Sequence, residues 1–198
     1  LRYPETRGLS SNEIKIIKKD GVNSLLRDVS VRLKGSGSDD LERIGLLVDA
    51  DIDLRTRWRE VAEALLKAGY NAGSIPDTPQ HNGTIIIERN KPIVGIWLMP
   101  DNRLHGQLED FIGFLVPTGD AMWDRASKYV DEVMANIAET ERFSNTSRSK
   151  AHVHTWLAWQ KDPGTPIGFA ITKRYLEPAA PHAQRLMEWV RRLFGLSA

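Results

Sequence analysis

Ile44-Gly45-Leu46-Leu47-Val48-Asp49-Ala50-Asp51 decides how this chain is read. An unbroken apolar run ends abruptly in two carboxylates one residue apart. Such a run is the mark of a strand covered on both faces, as in a parallel sheet. Downstream, Thr56 to Ala68 carries Trp58, Val61, Ala62, Leu65 and Leu66 at helical spacing, with Gly69 as its stop. Upstream, Ile14, Ile16 and Ile17 form a β-branched run ended by Asp20-Gly21, which predicts a strand and a turn. Ser24 to Lys34, with Leu25, Leu26, Val29 and Leu33, predicts a helix, and Gly35-Ser36-Gly37-Ser38 a loop after it. Strand, helix, strand, helix at this spacing predicts a parallel sheet with crossover helices.

Beyond a Pro-rich loop from Ile75 to Gly83, Thr84 to Glu88 and Ile93 to Met99 read as two strands of an antiparallel hairpin turning at Asn90-Lys91-Pro92. After Pro100 the pattern becomes helical: Leu108 to Val116, Ala121 to Ala138, Lys150 to Gln160, Phe169 to Tyr175 and His182 to Phe194. The expectation is a single α/β domain over 1–198, with a small, mostly parallel sheet and flanking helices in 13–116 and a helical extension in 117–198. The first stretch, Leu1 to Asn12, is polar and patternless and reads as a loop cut from a longer protein.

Bulk properties narrow the function classes. With 27 Lys and Arg against 26 Asp and Glu, the net charge is +1, so any polyanion must be met by local patches. The chain has no cysteine, which excludes disulfides and thiolate metal sites. It has neither an apolar run of membrane-spanning length nor a signal-peptide pattern, so no membrane association and a cytoplasmic location are expected. Oligomeric state is not encoded in any pattern visible here.

Asp49-Ala50-Asp51 is the sharpest chemical signal. Two nearby carboxylates repel unless a cation lies between them. Ligands of open parallel sheets gather at the carboxyl ends of the strands, where this motif falls. Oxygen donors without Cys or His neighbours suit Mg²⁺ or Mn²⁺. The bland alternative is a solvated turn in which one Asp caps the next helix.

Three superfamilies place Asp-x-Asp after a strand. Haloacid-dehalogenase-like phosphatases follow the second Asp with a small residue and then Thr or Val, whereas Ile52 and Asp53 follow here. Glycosyltransferases use the motif to hold a nucleotide-sugar, on a longer fold. Toprim domains combine it with a Glu from an earlier strand. Three further segments bear on the choice: Trp97-Leu98-Met99-Pro100-Asp101-Asn102, Gly106-Gln107-Leu108-Glu109-Asp110-Phe111, and Ser149-Lys150-Ala151 ahead of Thr155-Trp156-Leu157-Ala158-Trp159-Gln160. With these, nearly the whole chain resembles an uncharacterised prokaryotic Toprim-like family, and its short motifs are distantly similar to the Toprim half of OLD-family nucleases. The resemblance implies a Toprim-like fold. It also implies Asp49, Asp51 and Glu109 as metal ligands and Lys150 as a cation beside the scissile phosphate. The acidic Glu-Gly motif after the first Toprim strand is not visible. Asp20-Gly21 imitates it only superficially, and the motif is expected upstream of Leu1. The function implied is a Mg²⁺-dependent nuclease acting on phosphodiesters of DNA or RNA. The alternatives are a non-catalytic module that binds nucleic acid or a partner ATPase around a vestigial metal site, and a small-molecule phosphatase.

Other candidates carry blander readings. Glu109 and Asp110 open a helix, where acids are favoured by the dipole alone. Asp101-Asn102 reads as a turn or helix entry. His152 and His154, two apart on a helix, point to different sides and make a poor zinc pair. Trp156 and Trp159 read as core. Arg55, Arg57, Arg59 and Lys67 read as a solvated face adjoining the acidic rim, and Arg142, Arg148 and Lys150 as a second basic cluster. His81 and His105 sit in loops.

Overall fold

The computed structural model describes residues 14–34 and 42–196. The expected loops over 1–12 and 35–38 lie outside those residues. Three strands form one sheet: β1 (Arg43–Asp49), β2 (Thr84–Ile86) and β3 (Ile93–Met99), in the order β1-β3-β2. β1 runs parallel to β3, from Arg43 opposite Ile93 to Asp49 opposite Met99, and β2 runs antiparallel to β3, Thr84 facing Ile96. The sheet is therefore mixed and mostly parallel, within an α/β fold flanked by helices. The helices are α1 (Val22–Lys34), α2 (Leu54–Lys67), α3 (Leu108–Gly113), α4 (Ala121–Asn136), α5 (Arg148–Ala158), α6 (Ile167–Ala170) and α7 (Pro181–Phe194).

Alternation along the strands divides the interior in two. Leu46, Val48, Val94, Ile96 and Leu98 point to one face, where Leu26, Val29 and Leu33 of α1 and Trp58, Val61 and Leu65 of α2 cover them. Trp97 and Met99 point to the other face, against Phe111 and Ile112 of α3, Trp156 of α5, and Trp189 and Leu193 of α7.

The last helix thus returns to the sheet, and glycines let it in. Gly45 and Gly95 lie opposite each other across β1 and β3. A Cβ on Gly95 would stand 2.4 Å from Leu193 Cδ2, and one on Gly45 3.0 Å from the same atom. Gly83 makes a third part of this seat, where an added Cβ would fall 2.1 Å from Trp189 Cδ1. Glycine inside a strand commonly marks such close approach. Arg43 Nη1 donates to the Leu193 carbonyl at 2.5 Å and ties the helix end to β1.

Two sequence expectations need correction. Ile14 to Ile17 forms no strand: residues 14–19 have no regular structure, and Ile16 is 92% exposed. A β-branched run expresses its preference only against a partner ladder, and no strand among the described residues pairs with it. The second concerns β1, which is an edge strand rather than one covered on both faces. Leu47 is 48% exposed, because α7 covers the strand at Gly45 and leaves the stretch beyond it open. The doubly covered strand is β3, buried at every position from Val94 to Met99. No helix among the described residues is long and apolar enough to cross a membrane.

Candidate functional site

The Asp49-Ala50-Asp51 segment leaves the sheet by a turn fixed from both sides. Ala50 N–H donates to the Met99 carbonyl at 3.3 Å, and Asp51 N–H to the Gly106 carbonyl at 2.8 Å. Asp51 takes φ 53°, a left-handed conformation that acidic and amide residues tolerate better than most. Two residues on, Asp53 caps α2, accepting from Arg55 N–H at 2.9 Å and Thr56 Oγ1 at 2.7 Å.

Asp49, at the end of β1, turns toward α3. Its Oδ1 accepts from Leu108 N–H, the first residue of that helix, at 2.9 Å. The start of α3 is pinned again by a reciprocal cap, in which Gln107 N–H donates to Asp110 Oδ2 at 2.7 Å. The other Asp110 oxygen accepts from Ser149 Oγ, and Gln107 Nε2 reaches the Thr146 carbonyl at 3.3 Å. The end of β1, the start of α3 and the start of α5 are therefore stitched into one rim. Glu109 stands on its α3 side, and Lys150, exposed, follows Ser149 on its α5 side.

Charge at this rim is not neutral to Asp49. Burial of its carboxyl holds the pKa above the ordinary aspartate value, and the negative charges of Asp51 and Glu109 push the same way. The Leu108 N–H and the Arg57 guanidinium pull against them. Asp51 meets a different fate. Its Oδ2 accepts from Arg57 Nη2, while Arg57 Nη1 donates to Glu60 Oε2 at 2.6 Å. Only 11% of the Arg57 side chain is exposed, and its buried Nε has no hydrogen-bond partner. The reading of Arg57 as part of a solvated face is thus corrected. Leu54, Arg57, Val61 and Ala64 follow one stripe of α2, which Ala68 continues at the C-cap. That stripe is the sequence signal for an inward Arg57.

The donor chemistry at the rim, carboxylate oxygens with surplus negative charge, suits a hard divalent ion. As the side chains stand, however, no three His, Cys, Asp or Glu among the described residues are gathered closely enough to hold one. Asp51 faces Arg57 instead.

The remaining candidates resolve into structure. Asp101 and Asn102 are buried after β3: Asp101 Oδ1 accepts from Arg103 N–H at 3.0 Å and Leu104 N–H at 2.9 Å. Asn102 Oδ1 accepts from Leu98 N–H at 2.8 Å. His152 is buried, packs against the Trp123 ring at a tilt of 32° with centroids 3.7 Å apart and bonds the Trp123 carbonyl, whereas His154 is exposed, so the two do point apart. Burial and the adjacent Arg148 charge hold the His152 pKa below the usual histidine value, against the Trp123 bond. Trp156 is core, but the core reading of Trp159 is corrected: at the C-cap of α5 it is exposed, edge-on to Tyr129. Arg148 is spent on Asp131, at 2.7 and 2.9 Å, and Arg142 on the Ile137 and Phe143 carbonyls. Lys150 makes none of the ion pairs found among the described residues. Arg55 and Arg59 line an open groove of about 630 Å³ between α2 and the Pro-rich loop, with Trp58, Leu66, Ile75 and Pro76.

Compared with known proteins, residues 2–195 match the family described as protein of unknown function (DUF3226), and the chain belongs to that family. No curated protein and no solved structure matches it.

Proposed function

We propose that this member of the DUF3226 family is a Mg²⁺- or Mn²⁺-dependent nuclease-like protein with a Toprim-like scaffold, acting on phosphodiester bonds of DNA or RNA. The observation that carries the reading is the placement of Asp49. It lies at the carboxyl end of a parallel strand, bonded to the first N–H of α3, with the negative charges of Asp51 and Glu109 acting on it. A rim that accumulates negative charge in this way is relieved by a cation.

Asp49, Asp51 and Glu109 would hold the ion, which when bound polarises a phosphoryl oxygen and lowers the pKa of a bound water. The chain's own contribution is positional. The Leu108 N–H fixes the Asp49 carboxylate, and the Asp110–Ser149 bond fixes α5 beside α3. Lys150, exposed on the first turn of α5, supplies positive charge for a phosphate drawn to the rim. Arg55 and Arg59 offer backbone contacts farther along the strand. A cytoplasmic setting, with access to nucleic acid, belongs to the same proposal.

The Asp51–Arg57 pair favours a second reading, a non-catalytic module that binds nucleic acid or a partner ATPase around a vestigial site. A plasmid-nicking assay with Mg²⁺ or Mn²⁺ separates the two. Under the nuclease reading wild type nicks and Asp51→Ala does not. Identical traces overturn it, and nucleic-acid binding that is unchanged in EDTA then supports the binding module.

A further inference from the structure

We propose that the outer face of α4 is a self-association surface, on which a second copy of this chain lays its own α4 in the antiparallel direction, about a two-fold axis at the level of Tyr129.

The inner face of α4 is fixed. Ala126 and Val130 are buried, Trp123 packs against His152 and Trp156 of α5, and Arg148 holds Asp131 and Ser127. The outer face of such a helix is normally polar. Here Met122, Tyr129, Val133 and, at the C-cap, Ile137 are all exposed. Their spacing puts them on one stripe, adjoining the buried one. Trp159 widens it: 39% exposed, its ring meets that of Tyr129, 57% exposed, edge-on at 5.7 Å. An exposed apolar patch of this kind marks an interaction site, and Tyr and Trp are among the residues that carry most binding energy.

Charge selects the occupant. α4 carries Asp124, Arg125, Lys128, Asp131 and Glu132, without the excess of cations that suits an anionic lipid surface. Arg125 and Glu132 are exposed and enter none of the ion pairs among the described residues. Seven positions apart, they stand on the same flank of the stripe, two turns from each other. When a second α4 is laid antiparallel on the first, position 125 of each helix comes level with position 132 of the other. One symmetry operation thus matches both charges twice. The same operation brings Tyr129 against Tyr129 of the second copy. It also sets Met122 of one copy level with the gap between Val133 and Ile137 of the other, a knob facing a hole. A pairing of like surfaces closes on itself, so the product is a dimer.

The test is sedimentation equilibrium of the full chain, which needs neither metal nor substrate. Wild type is expected to show a monomer–dimer equilibrium in the micromolar range, because a one-helix contact is smaller than a standard interface. Tyr129→Glu should weaken it by about tenfold or more with urea unfolding unchanged. Arg125→Glu and Glu132→Arg should each weaken it by about tenfold or more, since each sets like charges face to face twice. An equimolar mixture of those two variants should assemble at least as well as wild type, because both contacts then join opposite charges. A wild type that stays monomeric through the millimolar range overturns the proposal. So does a dimer undiminished by Tyr129→Glu, and so does a mixture of the charge variants that assembles no better than either alone. Should Tyr129→Glu alter the unfolding curve, Val133→Lys decides on the same criterion.

Discussion

Two neighbouring strands, β1 and β3, end side by side, Asp49 opposite Met99, and both run on into an acidic turn containing a non-glycine residue at positive φ. They use that chemistry differently. After β3, Asp101 and Asn102 are buried and their oxygens are consumed by backbone N–H groups within the turn. After β1, Asp49 and Asp51 keep access to solvent, one held by a helix start and the other by Arg57. Similar polar residues after neighbouring strand ends are therefore consumed locally in one case and left facing other elements and solvent in the other. What separates them is whether the polar atoms are satisfied inside the turn.

Substitutions can break this contrast. The largest effect is expected at Asn102→Gly. The change relieves a φ of 63° but orphans the buried Leu98 N–H, and a net loss of about 2 kcal/mol is expected in urea unfolding. Asp101→Ala removes the acceptor for two turn N–H groups that water can partly replace, so about 1–2 kcal/mol should be lost. Asp51→Gly, by contrast, should stay within about 1 kcal/mol of wild type, because relief of its positive φ offsets a half-exposed ion pair, while Mn²⁺ binding disappears. A loss at Asp51→Gly equal to that at Asn102→Gly would erase the distinction between the two strand ends.

The smallest effect concerns pH. A carboxyl whose pKa is raised by folding favours the fold fully below its unfolded value and loses that contribution as pH rises through the folded one. Asp49 is such a group. Asp49→Asn keeps the oxygen that accepts from Leu108 and removes the charge. The unfolding free energy of wild type relative to this variant should thus decline as pH rises from about 4, then level off. A difference that is flat across that range would remove Asp49 from the charged cluster.

Much of this contrast could be read from the residues, and the part that could not has physical causes. The helical stripe of α2 and the apolar run of β3 were visible because burial imposes periodicity. So was the placement of Asp49 and Asp51 at the end of a parallel strand. The edge position of β1 was hidden, since an apolar run looks the same whether its second face is covered wholly or only at Gly45. Ile14 to Ile17 shows the converse, strand-forming residues without a ladder to join. At the rim, Asp-x-Asp stands out, but its tie to α3 passes through the Leu108 N–H, and the tie of α3 to α5 through the Ser149 hydroxyl on Asp110, neither of which any spacing rule announces. Asp101-Asn102 and Asp49-Ala50-Asp51 both follow an apolar strand. What their carboxylate and amide oxygens bond to is settled only by the fold.

The glycine seat under α7 has a consequence for biosynthesis. Arg43 and the Leu193 carbonyl it holds are 150 residues apart in sequence. At ribosomal speeds the second follows the first by roughly 8–30 s. Throughout that interval the seat at Gly45 and Gly95 lacks the helix that fills it. Completion of this half of the core thus waits for the arrival of Trp189 and Leu193.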